Sequence, residues 1–282
     1  AVLVLMAMFS IGTALRARGW WRWANAGAAA IMLTVVLRTG SRGAIVGLAA
    51  GVLALVLAQR AKRLVLYAVV VAVAIPLLFR FGPETFRVRA TTLTSLGDDY
   101  SVKEDAGRVN IWKRGLYYFA ERPVTGVGAS AFGTRDLTGV PSAGLRGVGY
   151  TAHSIYVQVI AELGLLGTVP FLALFGLSAR AALGVWRERA TETWRLRRPE
   201  IFAAFVSYAF CAGFLSHAYS YIAIAMFGVC ALTRRVVEAE AARVAAGLPP
   251  TSVAPPRPRR QPIAQPIART HPGGWRDPAA AR

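Results

Sequence analysis

Seven stretches of this chain, at residues 1–15, 20–37, 43–58, 64–81, 155–179, 201–216 and 219–233, are nearly free of charge and separated by arginine clusters. About 20 helical residues cross the roughly 30 Å of a bilayer's hydrocarbon. Several runs are shorter, so neighbouring helices, snorkelling arginines and interfacial tryptophans complete them. The expected fold is all-α: a polytopic integral membrane protein with about seven transmembrane helices. A mean hydropathy of +0.44 and an apolar content of 55% agree. The opening AVLVLMAMFSIGTAL has no basic segment and does not resemble a signal peptide. It reads as the later part of a helix, so an N-terminally truncated fragment is expected.

The formal charge of +19 raises nucleic acid as a partner. The positions of the charges favour a different cause. Most of the basic residues lie in Arg16–Arg22, Arg60–Arg63, Arg180–Arg198 and the tail from Arg234, which alternate in parity with the other loops. Cytoplasmic loops collect Lys and Arg in this way, and no basic stretch is interleaved with a nucleic-acid-binding motif, so no nucleic-acid partner is expected. Trp20, Trp21 and Trp23 stand where an interfacial belt belongs. The same parity puts 38–42, the long segment 82–152 and 216–219 outside. Cys211 and Cys230 fall within apolar runs and suggest neither a disulfide nor a metal site.

Four parts follow: helices in 1–36; a central domain at 37–180 that includes the external loop 82–152; a cytoplasmic loop and terminal hairpin at 181–233; and a disordered, basic, Pro-rich tail at 234–282. The run from Ile201 to Thr233 is too long for one crossing, since one helix of that length would measure roughly 50 Å. Ser216-His217 is the expected turn. Loops as long as 82–152 are usually functional or disordered. Val109, Trp112, Leu116 and Phe119 form an apolar stripe at helical spacing, with Arg108, Lys113, Arg114 and Glu121 on other faces. This predicts an amphipathic helix at the membrane surface. The Gly-rich run that follows favours turns and mobility, as a lid would.

Three outward polar clusters are candidates for chemistry. In Arg38-Thr39-Gly40-Ser41-Arg42-Gly43, Arg38 reads as a snorkelling helix-end residue. Arg42 admits that role or a binding role, at the head of a helix whose Gly43, Ala44, Gly47 and Gly51 permit close packing. Gly107-Arg108 opens the amphipathic helix, where a helix N-terminus and a guanidinium both suit phosphate oxygens; a solvated surface charge is the alternative. His153, in Thr151-Ala152-His153-Ser154, is either a cap or a group titrating near neutrality that can act as a general base. Glu162 lies about 13 Å further along a straight helix and on the far face, so it reads as a buried acid paired inside the bundle, with an Arg as one candidate. Gln158 shares its face, and Tyr156 lies on the same helix as a further supporting residue. Gly126-Val127-Gly128 lacks the third glycine of a dinucleotide fingerprint. His217 is a weaker rival base.

Taken in order, these clusters resemble the O-antigen ligase and polysaccharide polymerase superfamily of bacterial membrane proteins, from about Leu37 to Leu177. The marks are Ser41-Arg42-Gly43, Gly107-Arg108 with Ile111-Trp112, Pro123 followed by Gly126-Val127-Gly128 and Phe132, and Ala152-His153-Ser154 through Glu162-Leu163-Gly164-Leu165-Leu166-Gly167. Ser154 stands where the family commonly has Asn. The resemblance implies a multi-pass protein of the bacterial inner membrane with its active face external. It implies a glycosyltransferase that moves a glycan from a polyprenyl-diphosphate carrier to a hydroxyl on a glycan or lipid acceptor. By position, Arg108 and Arg42 would hold the diphosphate and His153 would act at the acceptor hydroxyl. No cofactor or metal is expected, because two arginines supply the charge; Asp98, Asp99, Glu104 and Asp105 are the carboxylates that keep Mg²⁺ in view. A lipid-linked-glycan transporter or flippase, or an envelope-assembly scaffold using the basic tail, are the other readings.

Overall fold

The computed structural model describes residues 1–57, 80, 107–187, 199–216 and 218–248. Among them the regular structure is helical: α1 (Val2–Ala14), α2 (Trp20–Arg38), α3 (Arg42–Leu57), α4 (Arg108–Glu121), α5 (Phe132–Asp136), α6 (Ile155–Arg187), α7 (Pro199–Ala212) and α8 (Tyr221–Ala245), with a 3₁₀ turn at Pro141–Ala143. One of these, over Ile155–Trp186, is by itself long and apolar enough to cross a membrane. Val2–Ala14, Arg42–Leu57 and Pro199–Ala212 are shorter apolar helices. The apolar run 64–81, apart from Arg80, lies outside the described residues, as do Arg60–Arg63 and most of the tail.

The bundle is organised around α7, which packs against α1, α3 and α6. The small residues of α3 allow this closeness: a Cβ on Gly47 would lie 3.0 Å from the Ser207 carbonyl oxygen of α7, and one on Gly51 3.2 Å from the Ala203 carbonyl oxygen. The start of α1, the end of α2, the start of α3 and the end of α7 share the cluster Val4, Val36, Ala44 and Cys211. At the opposite end Arg16 forms an ion pair with Glu200, and the Arg234 guanidinium lies against Gly184 of α6. The bundle therefore gathers Arg16, Gly184, Glu200 and Arg234 at one end, and 38–43, 152–154 and 213–216 at the other.

The run from 201 to 233 is two helices: α7 ends at Ala212 and α8 begins at Tyr221, with 213–216 and 218–220 described between them. The tail begins later than expected, however, because α8 continues to Ala245. Residues 234–245 are mostly strong helix formers, and Arg234 donates to Glu238 one turn on at 2.6 Å.

The segment between α4 and α6 is not loosely held. Ile111, Tyr118, Phe132, Val140, Ala152 and Ala161 form a small core of their own, and Val140 and Leu145 exchange backbone hydrogen bonds at 2.8 and 3.2 Å. The expected lid is thus a packed lobe. The buried face of α4 is Ile111, Arg114, Gly115 and Tyr118, not the stripe through Leu116, which is 54% exposed. This face carries Arg114 inside, where Asp136 pairs with it, as a buried charge requires.

Candidate site at one end of the bundle

His153 stands at the junction between the lobe and α6. Its backbone is in the left-handed region at φ 49°, a conformation that L side chains adopt only when the surroundings hold them there. The peptide unit preceding it is held at both edges. The Ala152 carbonyl accepts the Trp112 indole N–H at 3.0 Å, and the His153 N–H donates to Ser216 Oγ at 2.5 Å. Ser154 then opens α6, with its Oγ 3.5 Å from the Val157 N–H, the long end of a hydrogen bond. Asn and Ser are both favoured N-cap residues, which accounts for Ser at a position where Asn is common.

Arg108 is the first residue of α4, and Gly107 at the N-cap brings no side chain to the first-turn amides. The packing of α4 on α6 carries Arg108 towards His153: Gly115 is so close to Val157 that a Cβ would lie 2.6 Å from its methyl group. The Arg108 guanidinium sits 5.6 Å from the centre of the Phe214 ring, a cation–π distance. Phe214 also packs on Gly43, the neighbour of Arg42 at the head of α3. Phe214 thus links the first two clusters, while Ser216 links to the third. Burial first, and the positive charge of Arg108 second, hold the His153 imidazole below its ordinary pKa. Tyr150 approaches the same imidazole edge-on, with ring centres 6.5 Å apart.

Glu162 is buried as expected, with Gln158 on its face and with further partners from outside α6. Its carboxylate accepts the Ser130 and Phe132 amides at 3.0 and 3.1 Å, the Tyr219 hydroxyl at 2.7 Å and the Gln158 amide at 3.3 Å. The acid is stabilised by backbone amides and a phenol where an Arg was considered; the close approach of 130–132 to α6 makes this geometry possible. Burial, followed by the bonded carboxylate, raises the Tyr219 phenol well above its usual range. Gln158 faces Glu162 at i, i+4, and its carbonyl accepts the Ala218 N–H at 3.4 Å. Tyr156 donates its hydroxyl to the Ala209 carbonyl at 2.8 Å and so joins α6 to α7.

The approach of 123–132 to α6 depends on a break in that helix. Gly164 has φ 58° and ψ −158°, a region essentially reserved for glycine. The Leu165 and Leu166 amides donate to the Pro123 and Val124 carbonyls at 2.8 and 3.0 Å. The Ala161 and Glu162 carbonyls accept the Val127 and Gly128 amides at 3.0 and 2.9 Å. Backbone groups freed by the break are thereby satisfied within the protein, as such a break near lipid requires. Both Gly126 (φ 67°) and Gly164 lack room for a side chain, a Cβ on either falling 2.6 Å from the other's amide nitrogen. The Gly126-Val127-Gly128 and Glu162-Leu163-Gly164 motifs are therefore two halves of one joint.

A second buried pair went unread in the sequence. Arg114 Nε donates to Asp136 Oδ1 at 2.5 Å, and both side chains are fully buried. The Tyr118 hydroxyl and the Tyr150 amide also donate to Asp136, each at 3.2 Å. Burial and then Asp136 raise the Tyr118 phenol well above its ordinary value. The pair ties α4 to α5 and to the strand of chain that leads into His153. Among the described residues no three His, Cys, Asp or Glu side chains gather as metal ligands. Asp98, Asp99, Glu104, Asp105 and His217 lie outside those residues.

The helical bundle thus brings Arg108 and a half-buried His153 together at one end, with Arg42 at the head of the adjoining helix. A family model described as O-antigen ligase matches residues 27–172, just over half of the chain. The chain belongs to that family of bacterial membrane proteins, which acts in polysaccharide assembly. No individual curated protein matches it closely enough to refine this statement.

Proposed function

We propose that this protein is a multi-pass glycan ligase or polymerase of the bacterial inner membrane, working on its external face. The donor is a glycan on polyprenyl diphosphate, and the acceptor is a hydroxyl of a glycan or lipid. The observation that carries the reading is the convergence of Arg108, Phe214 and His153, with Arg42 at the head of the adjoining helix.

In this reaction the acceptor oxygen forms a bond to the anomeric carbon while the bond from that carbon to the diphosphate oxygen breaks. The hydroxyl proton goes to the neutral His153 imidazole. Negative charge builds on the departing polyprenyl diphosphate, where fixed guanidinium groups stabilise it more in the transition state than in the ground state. Arg108 and Arg42 supply that charge, so the chemistry needs no metal ion, and chelator is expected to leave turnover unchanged. The transporter reading is weakened by the break at Gly164, whose freed backbone groups are consumed by 123–128 instead of facing a substrate.

The test uses the complete protein in liposomes, with donor and acceptor supplied on the same face. Joined glycan is expected from the wild type, whereas a flippase adds nothing there. Arg108→Ala and His153→Ala should abolish joining at normal membrane levels. Arg108→Lys should also be impaired, because an ammonium cannot reproduce the planar fork. Full activity in the His153→Ala or Arg108→Ala protein would refute the assignment.

A further inference from the structure

We propose that Ser216, in the turn between α7 and α8, is a positioning residue that fixes the imidazole of His153 for transfer; this rests on the catalytic reading of His153 above. The turn lies beyond residues 27–172, the part of the chain that matches the family model.

Rotation about the His153 N–Cα bond sets how its Cα–Cβ bond stands to the Ala152–His153 peptide plane, so holding that plane at this φ fixes the point from which the imidazole projects. Its φ of 49° is one that a non-glycine residue leaves unless held. That plane has two hydrogen-bonding edges. Trp112 holds the carbonyl edge and Ser216 Oγ holds the amide edge. With one clamp removed, the peptide can rotate towards an ordinary conformation and carry the imidazole away from its place.

Ser216 can serve as a fixed point because its turn is itself tied down on both sides. Before it, Phe214 lies between Gly43 and the Arg108 guanidinium. After it, the Ala218 amide donates to Gln158 and the Tyr219 hydroxyl donates to Glu162. Glu162 is in turn held by the Ser130 and Phe132 amides of the lobe. The turn therefore touches all three polar clusters and relates α3, α4 and α6 to one another. On this account Gln158 and Glu162 hold the turn that aims His153 and have no direct part in the proton transfer.

The experiment measures kcat and donor KM for the complete protein in liposomes, in the wild type and in Ser216→Ala, Ser216→Cys, Ser216→Thr and His153→Ala. Ser216→Ala should lower kcat by roughly tenfold to a hundredfold, the range a small misplacement of a reacting group produces, with donor KM unchanged. Ser216→Cys, similar in size but with sulfur a weak acceptor, should show the same loss and covers the case in which the alanine variant folds poorly. Ser216→Thr, which restores an oxygen, should recover most of kcat. Wild-type kcat in Ser216→Ala or Ser216→Cys would overturn the proposal, as would a loss that appears in KM or that threonine does not rescue. With His153→Ala inactive, such a result removes Ser216 alone; activity in His153→Ala would remove the catalytic reading on which it rests.

Discussion

Burial and the charge of Arg108 both favour the neutral form of His153. A depressed pKa means the proton leaves at lower pH than usual, so in the proposed reaction His153 can accept a proton at neutrality and loses that ability only on acidification. Transfer rate should therefore hold its plateau to below pH 6.5, the ordinary value of the group, and then fall. A pH–rate profile of kcat would check this, with a midpoint at or above 6.5 as the contrary result. Arg114 and Asp136 make a different kind of prediction, about stability. Arg114→Ala leaves Asp136 buried without its cation, which typically costs about 3–5 kcal/mol. Denaturation of the purified protein in detergent should register that loss. Tyr118→Phe removes only one neutral partner of the carboxylate and should cost about 1–2 kcal/mol.

At the scale of elements, the joint between 123–128 and α6 decides where the lobe sits. Gly164→Ala puts a side chain into a glycine-only conformation, at a cost on the order of 1–3 kcal/mol, and drives a Cβ against Val124. The lobe should loosen from α6, so limited proteolysis should cut within 123–150 while α6 stays intact; an unchanged digestion pattern would count against the joint. The existence of α4, the α7–α8 turn and the close face of α3 were all legible in the sequence, from apolar spacing, helix length and the small residues Gly43, Gly47 and Gly51. The inward face of α4 was not. Periodicity sorts Arg114 with solvent, and only Asp136, 22 residues on, turns it inside. The burial of Glu162 and its Gln158 neighbour were legible, but the Ser130 and Phe132 amides that hold it were not, since backbone donors carry no sign in residue type. Phe214, Ser216 and Tyr219 form no motif, and their role emerges only when α3, α4 and α6 are folded around them.

For the molecule as a whole, the parity of the basic loops set the three clusters on one side, and the fold brings their described segments to one end of the bundle. The loops rich in Lys and Arg go to the other end where they are described, with Arg16 on Glu200 and Arg234 beside α6. Charge asymmetry of this kind orients membrane proteins with the basic end in the cytoplasm, and the account requires the His153 end to face outward. Both native cysteines are buried, so an introduced thiol can be read against a low background. The direct measurement is labelling of intact cells with a membrane-impermeant thiol reagent, using Tyr150→Cys beside His153 and Arg18→Cys at the opposite end. The account predicts that Tyr150→Cys is modified in intact cells and Arg18→Cys only after permeabilisation. The reverse pattern would set the arginine and histidine cluster in the cytosol and contradict the proposed function.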